Sequence, residues 1–352
     1  MKHLLPIGLV FLAVFFSIPD ARGQRHTKFG LEGQTSWIIP HSAELVPISR
    51  SNPQGVRFSY EKLSLEKTSW DNCSCFYLWG GELGYTNFNN PAVLGDAVFF
   101  SGFFEPFLWY RGNWQFRLKA TLGTTYLTKV YDANSNPENT FFSSPLSFLL
   151  AIEPTLSYQF SDRYEVLVSA HYNHISNGGQ KQPNRGMNFP GMGLGIGYWL
   201  QRPVFPLYEK PPLEHRLSFL LESFGTFRDN PSGSGRVPAL GVSLALIQTL
   251  TRVNELGLGT EFSWDRSLSS RGEGQGFVPA AFISHHLVFG RVDFSQRMSL
   301  YLSSPDRTGR RHRWFQRYAL SYRFPPGLVF GVDLKAHGHV AENIGMRLGW
   351  FF

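Results

Sequence analysis

Apolar and polar side chains alternate residue by residue in several segments of this chain. Residues 114–122 are an example, with Trp114, Phe116, Leu118, Ala120 and Leu122 set against Gln115, Arg117, Lys119 and Thr121. Residues 254–264 and 328–336 show the same pattern. Because a β-strand places successive side chains on opposite faces, each segment predicts a strand with one apolar face. Alternating segments of about ten residues, separated by turns, are typical of transmembrane β-barrels.

The composition favours a membrane barrel over a soluble sandwich. Aromatic residues make up 16% of the chain and charged residues only 17%, and there are 35 glycines. The strands of a soluble sandwich also alternate apolar and polar side chains, but they do not usually place large aromatic side chains so often at their ends. Membrane barrels carry interfacial aromatic girdles there.

The first residues have the pattern of a secretory signal peptide. Lys2 and His3 form a short basic start, residues 4–18 are apolar, and Ala21-Arg22-Gly23 resembles a cleavage site. The alternative is a membrane anchor, but the apolar run is shorter than the about 20 residues of a spanning helix. We therefore expect residues 1–23 to be removed.

The C-terminus ends in one more alternating segment. Ile344, Met346, Leu348, Trp350 and Phe352 share one face, and Phe352 is the last residue. This ending resembles the recognition signal read by the barrel-assembly machinery of Gram-negative bacteria. Together with the signal peptide, it predicts a location in the outer membrane.

The fold predicted is all-β, a transmembrane antiparallel β-barrel of roughly 12–14 strands, with 14 preferred because barrels close with an even number. We expect the barrel to occupy residues 71–352. Residues 24–70 are either an N-terminal extension or the first strands. Short and long connections alternate along the chain, and residues 176–187 belong to the long, external set.

A short polar motif stands where one predicted strand runs into its external loop. It reads His174-Ile-Ser176-Asn177-Gly178-Gly179, followed by Pro183-Asn184-Arg185-Gly186. His174 and Ser176 share a face with the apolar Val166, Val168, Ala170 and Tyr172. A serine becomes a useful nucleophile when a base takes its proton. The pair would therefore meet a lipid substrate near the outer rim.

The next predicted strand begins near a further polar residue, Asn188. It has the parity of Met192, Leu194 and Ile196, so it should point outward beside His174. Backbone N–H groups around Asn177, Gly178 and Gly179 are candidate oxyanion donors. The alternative is that the motif is only a polar turn at the aromatic rim.

The net charge and the two cysteines give little information about the chemistry of the protein. The net charge is +7, and removing residues 1–23, with two basic residues and one acidic one, leaves +6. Nucleic acid is an implausible partner for an exported barrel, whereas Lys181 and Arg185 could hold lipid A phosphates or be ordinary solvated charges. Cys73 and Cys75 could form a strained disulfide, remain free or bind metal. We predict no metal site and no cofactor.

The run from His174 to Asn188 resembles the catalytic stretch of the PagL family of lipid A 3-O-deacylases, also called acyloxyacyl hydrolases. The resemblance implies an outer-membrane esterase that removes an ester-linked acyl chain from the lipid A of lipopolysaccharide. It also implies Ser176 as nucleophile, His174 as base and Asn177 as an oxyanion contributor. The chain is longer than the small eight-stranded barrels of the family, and Asn188 stands where the family has a glutamate. An amide can still orient an imidazole.

Three other functions remain open at this point. The chain could be a non-catalytic outer-membrane channel or porin, or a structural or adhesive barrel. It could also be a lipid acyltransferase, since acyl transfer and ester hydrolysis share their early steps. A channel or an adhesive barrel would leave the His174–Ser176 pair on the lipid face unexplained.

Overall fold

The computed structural model describes residues 26–178, 181–210, 212–230, 235–269, 276–302, 313–338 and 340–352. The predicted signal peptide and Gly179 lie outside the described residues. The chain divides into two compact units, each built around a closed, antiparallel barrel of eight strands.

The first barrel is formed by eight consecutive strands, and β1 closes it by pairing with β8. A 3₁₀ helix at Ala43–Leu45 lies between β1 and β2, and an α-helix at Lys67–Cys73 lies between β2 and β3. The strands are β1 (His26–Ser36), β2 (Gln54–Ser64), β3 (Tyr77–Asn87), β4 (Asp96–Arg111), β5 (Trp114–Leu127), β6 (Leu146–Gln159), β7 (Tyr164–Ser176) and β8 (Met187–Trp199).

The second barrel uses the next eight strands, and β16 closes it against β9. A short α-helix at Arg266–Ser269 follows β11. The strands are β9 (Leu217–Asp229), β10 (Arg236–Thr249), β11 (Asn254–Asp265), β12 (Phe277–Phe289), β13 (Val292–Tyr301), β14 (Trp314–Arg323), β15 (Leu328–His337) and β16 (Val340–Phe351).

The predicted class, an all-β antiparallel barrel, is confirmed, but the strand number is not. Among the described residues, sixteen strands form two barrels, instead of roughly 12–14 strands in one. Residues 24–70 contain the first two strands, and residues 71–352 contain the rest of one barrel and all of the other. Alternation locates strands, but it does not show which distant strand closes the barrel. The proline-rich segment of residues 200–216, which contains no described strand, was the available signal for a break.

Charged side chains fill the inside of each barrel. In the first, Arg117 pairs with Glu105 at 2.8 Å and with Glu165 at 3.1 Å. In the second, Glu222 pairs with both Arg297 and Arg347. An eight-stranded barrel is just wide enough for its own side chains, so neither interior is an aqueous pore. The channel alternative therefore loses its structural basis.

The outer faces carry the apolar half of the alternation. Val168 on β7 is 54% exposed, Leu194 on β8 is 64% exposed and Ile283 on β12 is 62% exposed. Apolar side chains in these positions are what a hydrocarbon environment requires. Within the described residues, no helix is both long and apolar enough to cross a membrane.

One end of the first barrel is closed by a buried apolar cluster. Its members come from the ends of the strands and from the connections that follow β1, β3 and β5; they include Ile38, Leu45, Phe88, Leu94, Phe141, Phe142, Ile175, Met187 and Phe189. Because Ile175 and Met187 belong to β7 and β8, this cluster holds the ends of the two strands that carry the motif. The local backbone around His174 is thereby anchored.

Candidate active site

His174 and Asn188 lie directly opposite each other on neighbouring strands. The β7–β8 register pairs the two residues, and His174 Nδ1–H donates to Asn188 Oδ1 at 2.7 Å. The resemblance places Asn188 where the family has a glutamate, and strand parity predicts that it points outward beside His174. The structure places its amide within hydrogen-bond distance of the imidazole.

The motif continues the outward face of β7. Along this strand Val166, Val168 and Tyr172 are exposed, while Glu165 and His171 are buried inside the barrel. His174 and Ser176 have the outward parity, but His174 is half-buried and Ser176 is only 3% exposed. The pair therefore sits on the outer wall beneath local protein cover.

Gly186 provides part of that cover. Its φ is +67°, and an added Cβ would lie 2.9 Å from His174 Cε1 and 3.2 Å from Ser176 Cβ. The backbone conformation and the lack of space both favour glycine. By the sum of these distances, His174 Cε1 and Ser176 Cβ are at most 6.1 Å apart. Nε2 and Oγ each lie one bond further, so side-chain rotation can close the gap.

The segment after β1 covers the other side of Asn188. Trp37 N–H donates to the Pro190 carbonyl at 3.0 Å, and Ile39 N–H donates to the Asn188 carbonyl at 2.9 Å. This segment fixes the backbone of Asn188. It also brings His41 close enough to interact electrostatically with His174.

The β7–β8 connection is organised by Asn177. Its backbone N–H donates to Asn184 Oδ1 at 3.2 Å, and its side-chain Nδ2 donates to the Lys181 carbonyl at 2.9 Å. Gly178 has a φ of +67°. Two donors of Asn177 thus serve the loop, a role that the sequence motif does not predict. The motif contains Asn184 but does not indicate that it accepts from Asn177.

The remaining candidates lie on the surface or away from the motif. Lys181 and Arg185 are exposed on the β7–β8 connection. Cys73 and Cys75 are disulfide-bonded, which excludes the free and metal-binding thiols considered from the sequence.

The hydrogen bond to Asn188 defines which imidazole nitrogen can act as a base. Since Nδ1 carries the donated proton, the lone pair of a neutral ring lies on Nε2. His174 Nε2 is buried and has no hydrogen-bond partner among the described residues. This arrangement suits proton abstraction from a nearby hydroxyl.

Comparisons with known proteins divide the chain where the structure does. The family model "Lipid A 3-O-deacylase (PagL)" matches residues 54–197, and "Acyloxyacyl hydrolase, C-terminal domain" matches residues 217–352. The first match runs from the start of β2 into β8, and the second begins with β9. No curated protein sequence matches the chain.

Solved structures give weaker likenesses. A crystal structure of the outer membrane enzyme PagL is 18% identical, covers 48% of this chain and 97% of its own, and has a TM-score of 0.33. For Neisserial surface protein A the identity is 9%, the coverages are 49% and 95%, and the TM-score is 0.32. A Rhodopseudomonas blastica porin mutant is 8% identical, with coverages of 94% and 100% and a TM-score of 0.19.

The two family matches occupy one barrel each and together account for fifteen of the sixteen strands in the described part of the chain. The chain therefore belongs to the PagL family of lipid A 3-O-deacylases and is an outer-membrane β-barrel protein.

Proposed function

We propose that the protein is a serine esterase that hydrolyses an ester-linked acyl chain of lipid A. Ser176 is the nucleophile, His174 is the general base and Asn188 orients the imidazole. The observation that carries this proposal is the 2.7 Å bond from His174 Nδ1 to Asn188 Oδ1. Because this bond uses Nδ1–H, the Nε2 lone pair of His174, two residues before Ser176, is left to accept a proton.

In the proposed reaction, His174 Nε2 takes the proton of Ser176 Oγ as the oxygen attacks the ester carbonyl carbon. The tetrahedral intermediate then collapses, and His174 gives the proton to the leaving lipid A oxygen, which departs as an alcohol. Water then attacks the acyl-enzyme while His174 takes its proton, and His174 returns that proton to Ser176 Oγ as the free fatty acid is released. Asn188 is neutral, so it fixes the ring but stabilises the imidazolium less than a carboxylate would.

The oxyanion donors are proposed to come from Asn177, Gly178 and Gly179. Asn177 would then have two roles, since it also orders the connection through Asn184 and Lys181. Lys181 and Arg185 are the proposed contacts for lipid A phosphates, because both are exposed on the same connection.

The cellular setting follows the same proposal. The long connections of the first barrel would face the outside, which brings Ser176 to the outer leaflet where lipopolysaccharide lies. Residues 1–23 would be the export signal. The alternating β16 with Phe352 at its end would be recognised by the barrel-assembly machinery.

Mass spectrometry of lipid A from cells expressing the protein tests the reaction. The wild type should remove one acyl chain, and Ser176→Ala and His174→Ala should leave lipid A intact. Ser223→Ala is the matched control, because this serine lies exposed on the outer face of β9. Unchanged lipid A with properly folded wild type would refute the esterase. Transfer of the lost chain to a second lipid would identify an acyltransferase instead.

A further inference from the structure

The inside of the first barrel contains more negative than positive charge. Six carboxylates and four cationic side chains are buried there among the described residues, which leaves two negative charges when the buried histidines are neutral: Glu32, Glu61, Glu82, Glu105, Glu153 and Glu165 against Lys28, Arg57, Arg117 and Lys119. Uncompensated buried charge is costly, so either protons or a bound cation must offset it.

Three potential metal ligands converge within this interior. Glu32 on β1, Glu153 on β6 and His171 on β7 each offer a ligand atom, and these atoms all lie within 4.8 Å of one another. All three side chains are buried. Two carboxylates and an imidazole form a donor set that first-row divalent cations accept.

Two atoms of this group are left without partners. Glu153 Oε2 and His171 Nδ1 are buried and make no hydrogen bond among the described residues. Arg57 contacts only the other oxygen of Glu153, at 2.7 Å, and it also contacts Glu32 Oε2 at 2.8 Å. The existing ion pairs therefore leave one carboxylate oxygen and one imidazole nitrogen unused.

The surroundings of the group resemble the outer shell of a metal site. His171 Nε2 is 3.0 Å from Ser36 Oγ, and Glu32 Oε1 accepts from Ser169 Oγ at 2.9 Å. If Nε2–H donates to Ser36, the Nδ1 lone pair is free to bind a metal. Metal-binding histidines characteristically donate their second nitrogen in this way.

The neighbouring strand β8 makes room for the group. A Cβ at Gly191 would lie 2.5 Å from His171 Nε2, and one at Gly193 would lie 2.0 Å from Glu32 Oε1. The two glycines therefore allow His171 and Glu32 to lie flat against the inner wall.

We propose that Glu32, Glu153 and His171 form a structural site for one divalent cation such as Zn²⁺, inside the first barrel. The cation would offset the two excess negative charges and join β1 to β6 and β7 across the interior. Two ligands bound to one Zn²⁺ at about 2.1 Å lie about 3.4 Å apart, so binding would draw the three side chains together. His171 is on the inward face, so the site is separate from the outward His174.

Binding of Zn²⁺ to the full-length, refolded protein in detergent tests this proposal. After removal of metals with a chelator, equilibrium dialysis against Zn²⁺ and elemental analysis should give one tightly held ion per chain. The temperature at which the barrel loses its heat-modifiable band on a denaturing gel should rise with Zn²⁺.

Variants locate the ion. His171→Gln and Glu153→Gln should abolish the tightly held ion, and Ser36→Ala should weaken affinity by about 10- to 100-fold through the outer shell. Glu105→Gln is the matched control, because it removes one buried negative charge but none of the three ligands. It should still bind Zn²⁺.

Two results would overturn the site. The first is a wild type that holds no ion, which would assign the charge balance to bound protons. The second is binding that His171→Gln leaves unchanged. If Glu153→Gln fails to fold, the comparison of His171→Gln with Ser36→Ala and Glu105→Gln still decides the question.

Discussion

The two barrels contain similar histidine–asparagine pairs on their outer walls, but only one pair accompanies a serine. In the first barrel His174 uses Nδ1 to contact Asn188 at 2.7 Å. In the second, His285 uses Nε2 to contact Asn254 at 3.0 Å, and Ile283 and Leu287 occupy the positions two residues away. The pairing alone is thus a structural feature of an outer wall. The proposed chemistry depends on the unpartnered Nε2 of His174, on Ser176, and on the residues that cover them.

The interiors differ in a second way. The second barrel contains a hydrogen-bonded chain in which Ser284 lies 3.1 Å from His286 Nε2 and Asp293 lies 3.1 Å from Nδ1. This is the connectivity of a catalytic triad, but Ser284, His286 and Asp293 all lie on the inward faces of β12 and β13, where they are buried inside the barrel. Both nitrogens of His286 have partners, whereas His171 in the first barrel has one that does not. A substrate cannot reach these three side chains. Their hydrogen-bonded arrangement therefore helps to fill the barrel interior.

The largest expected effect distinguishes the two histidines. His174→Ala should lower kcat for lipid A deacylation by at least about 10⁴-fold, because the serine loses its base. His285→Ala should leave kcat unchanged. Rates of fatty acid release from lipid A by the purified variants measure both. Equal losses would show that the comparison between the pairs is mistaken.

Asn177 should have the next largest effect. Loss of an oxyanion donor typically lowers kcat by about 10²–10³-fold, and Asn177→Ala removes a side-chain donor. Its double role predicts an additional effect, faster proteolysis of the β7–β8 connection. Asn184→Ala is the control, because it disturbs the same loop by removing the acceptor of the Asn177 backbone N–H and leaves the Asn177 side chain in place. If both variants lose the same activity, Asn177 acts only by ordering the loop.

Alanine substitutions at Gly186 and Gly112 distinguish the effect of backbone strain from the effect of crowding in the site. Both have positive φ, +67° and +58°, but an added Cβ meets His174 only at Gly186 and meets nothing within 4 Å at Gly112. Gly186→Ala should reduce kcat by about 10²-fold through displacement of the imidazole. Gly112→Ala should lower stability alone. A fully active Gly186→Ala would argue against the close cover of His174 and Ser176.

The smallest effect is expected from a carboxylate at position 188. Asn188→Glu should keep or raise kcat, by about tenfold if the charge adds about 1.4 kcal/mol of imidazolium stabilisation. Asn254→Glu, the equivalent change in the second barrel, should have no effect on rate. A folded but inactive Asn188→Glu would remove position 188 from the catalytic arrangement.

Strand parity was sufficient to predict the outer-wall geometry. The alternation of Val166, Val168 and Tyr172 fixes the side on which His174 and Ser176 lie, and that of Leu194 and Ile196 does the same for Asn188. Direct pairing of His174 with Asn188 follows from a short connection between adjacent strands. These relationships join residues that are close in the sequence, so they can be predicted from it.

The closure of the barrel and the contacts between side chains inside it depend on residues far apart in the chain. Phe29 pairs with Tyr198 to close the first barrel, and Glu32 meets Ser169 across 137 residues. Alternation specifies that such side chains point inward but not which ones meet. The eight-strand closure, the excess of buried carboxylates and the loop role of Asn177 were therefore beyond the sequence pattern.

Covalent labelling tests the identity of the nucleophile most directly. The purified protein would be treated with a fluorophosphonate that reacts with activated serines, and the modified peptide would be located by mass spectrometry. We expect a single adduct on Ser176 that is lost in His174→Ala and retained in His285→Ala. An adduct on Ser284, or lipid A deacylation without any adduct on Ser176, would contradict the account.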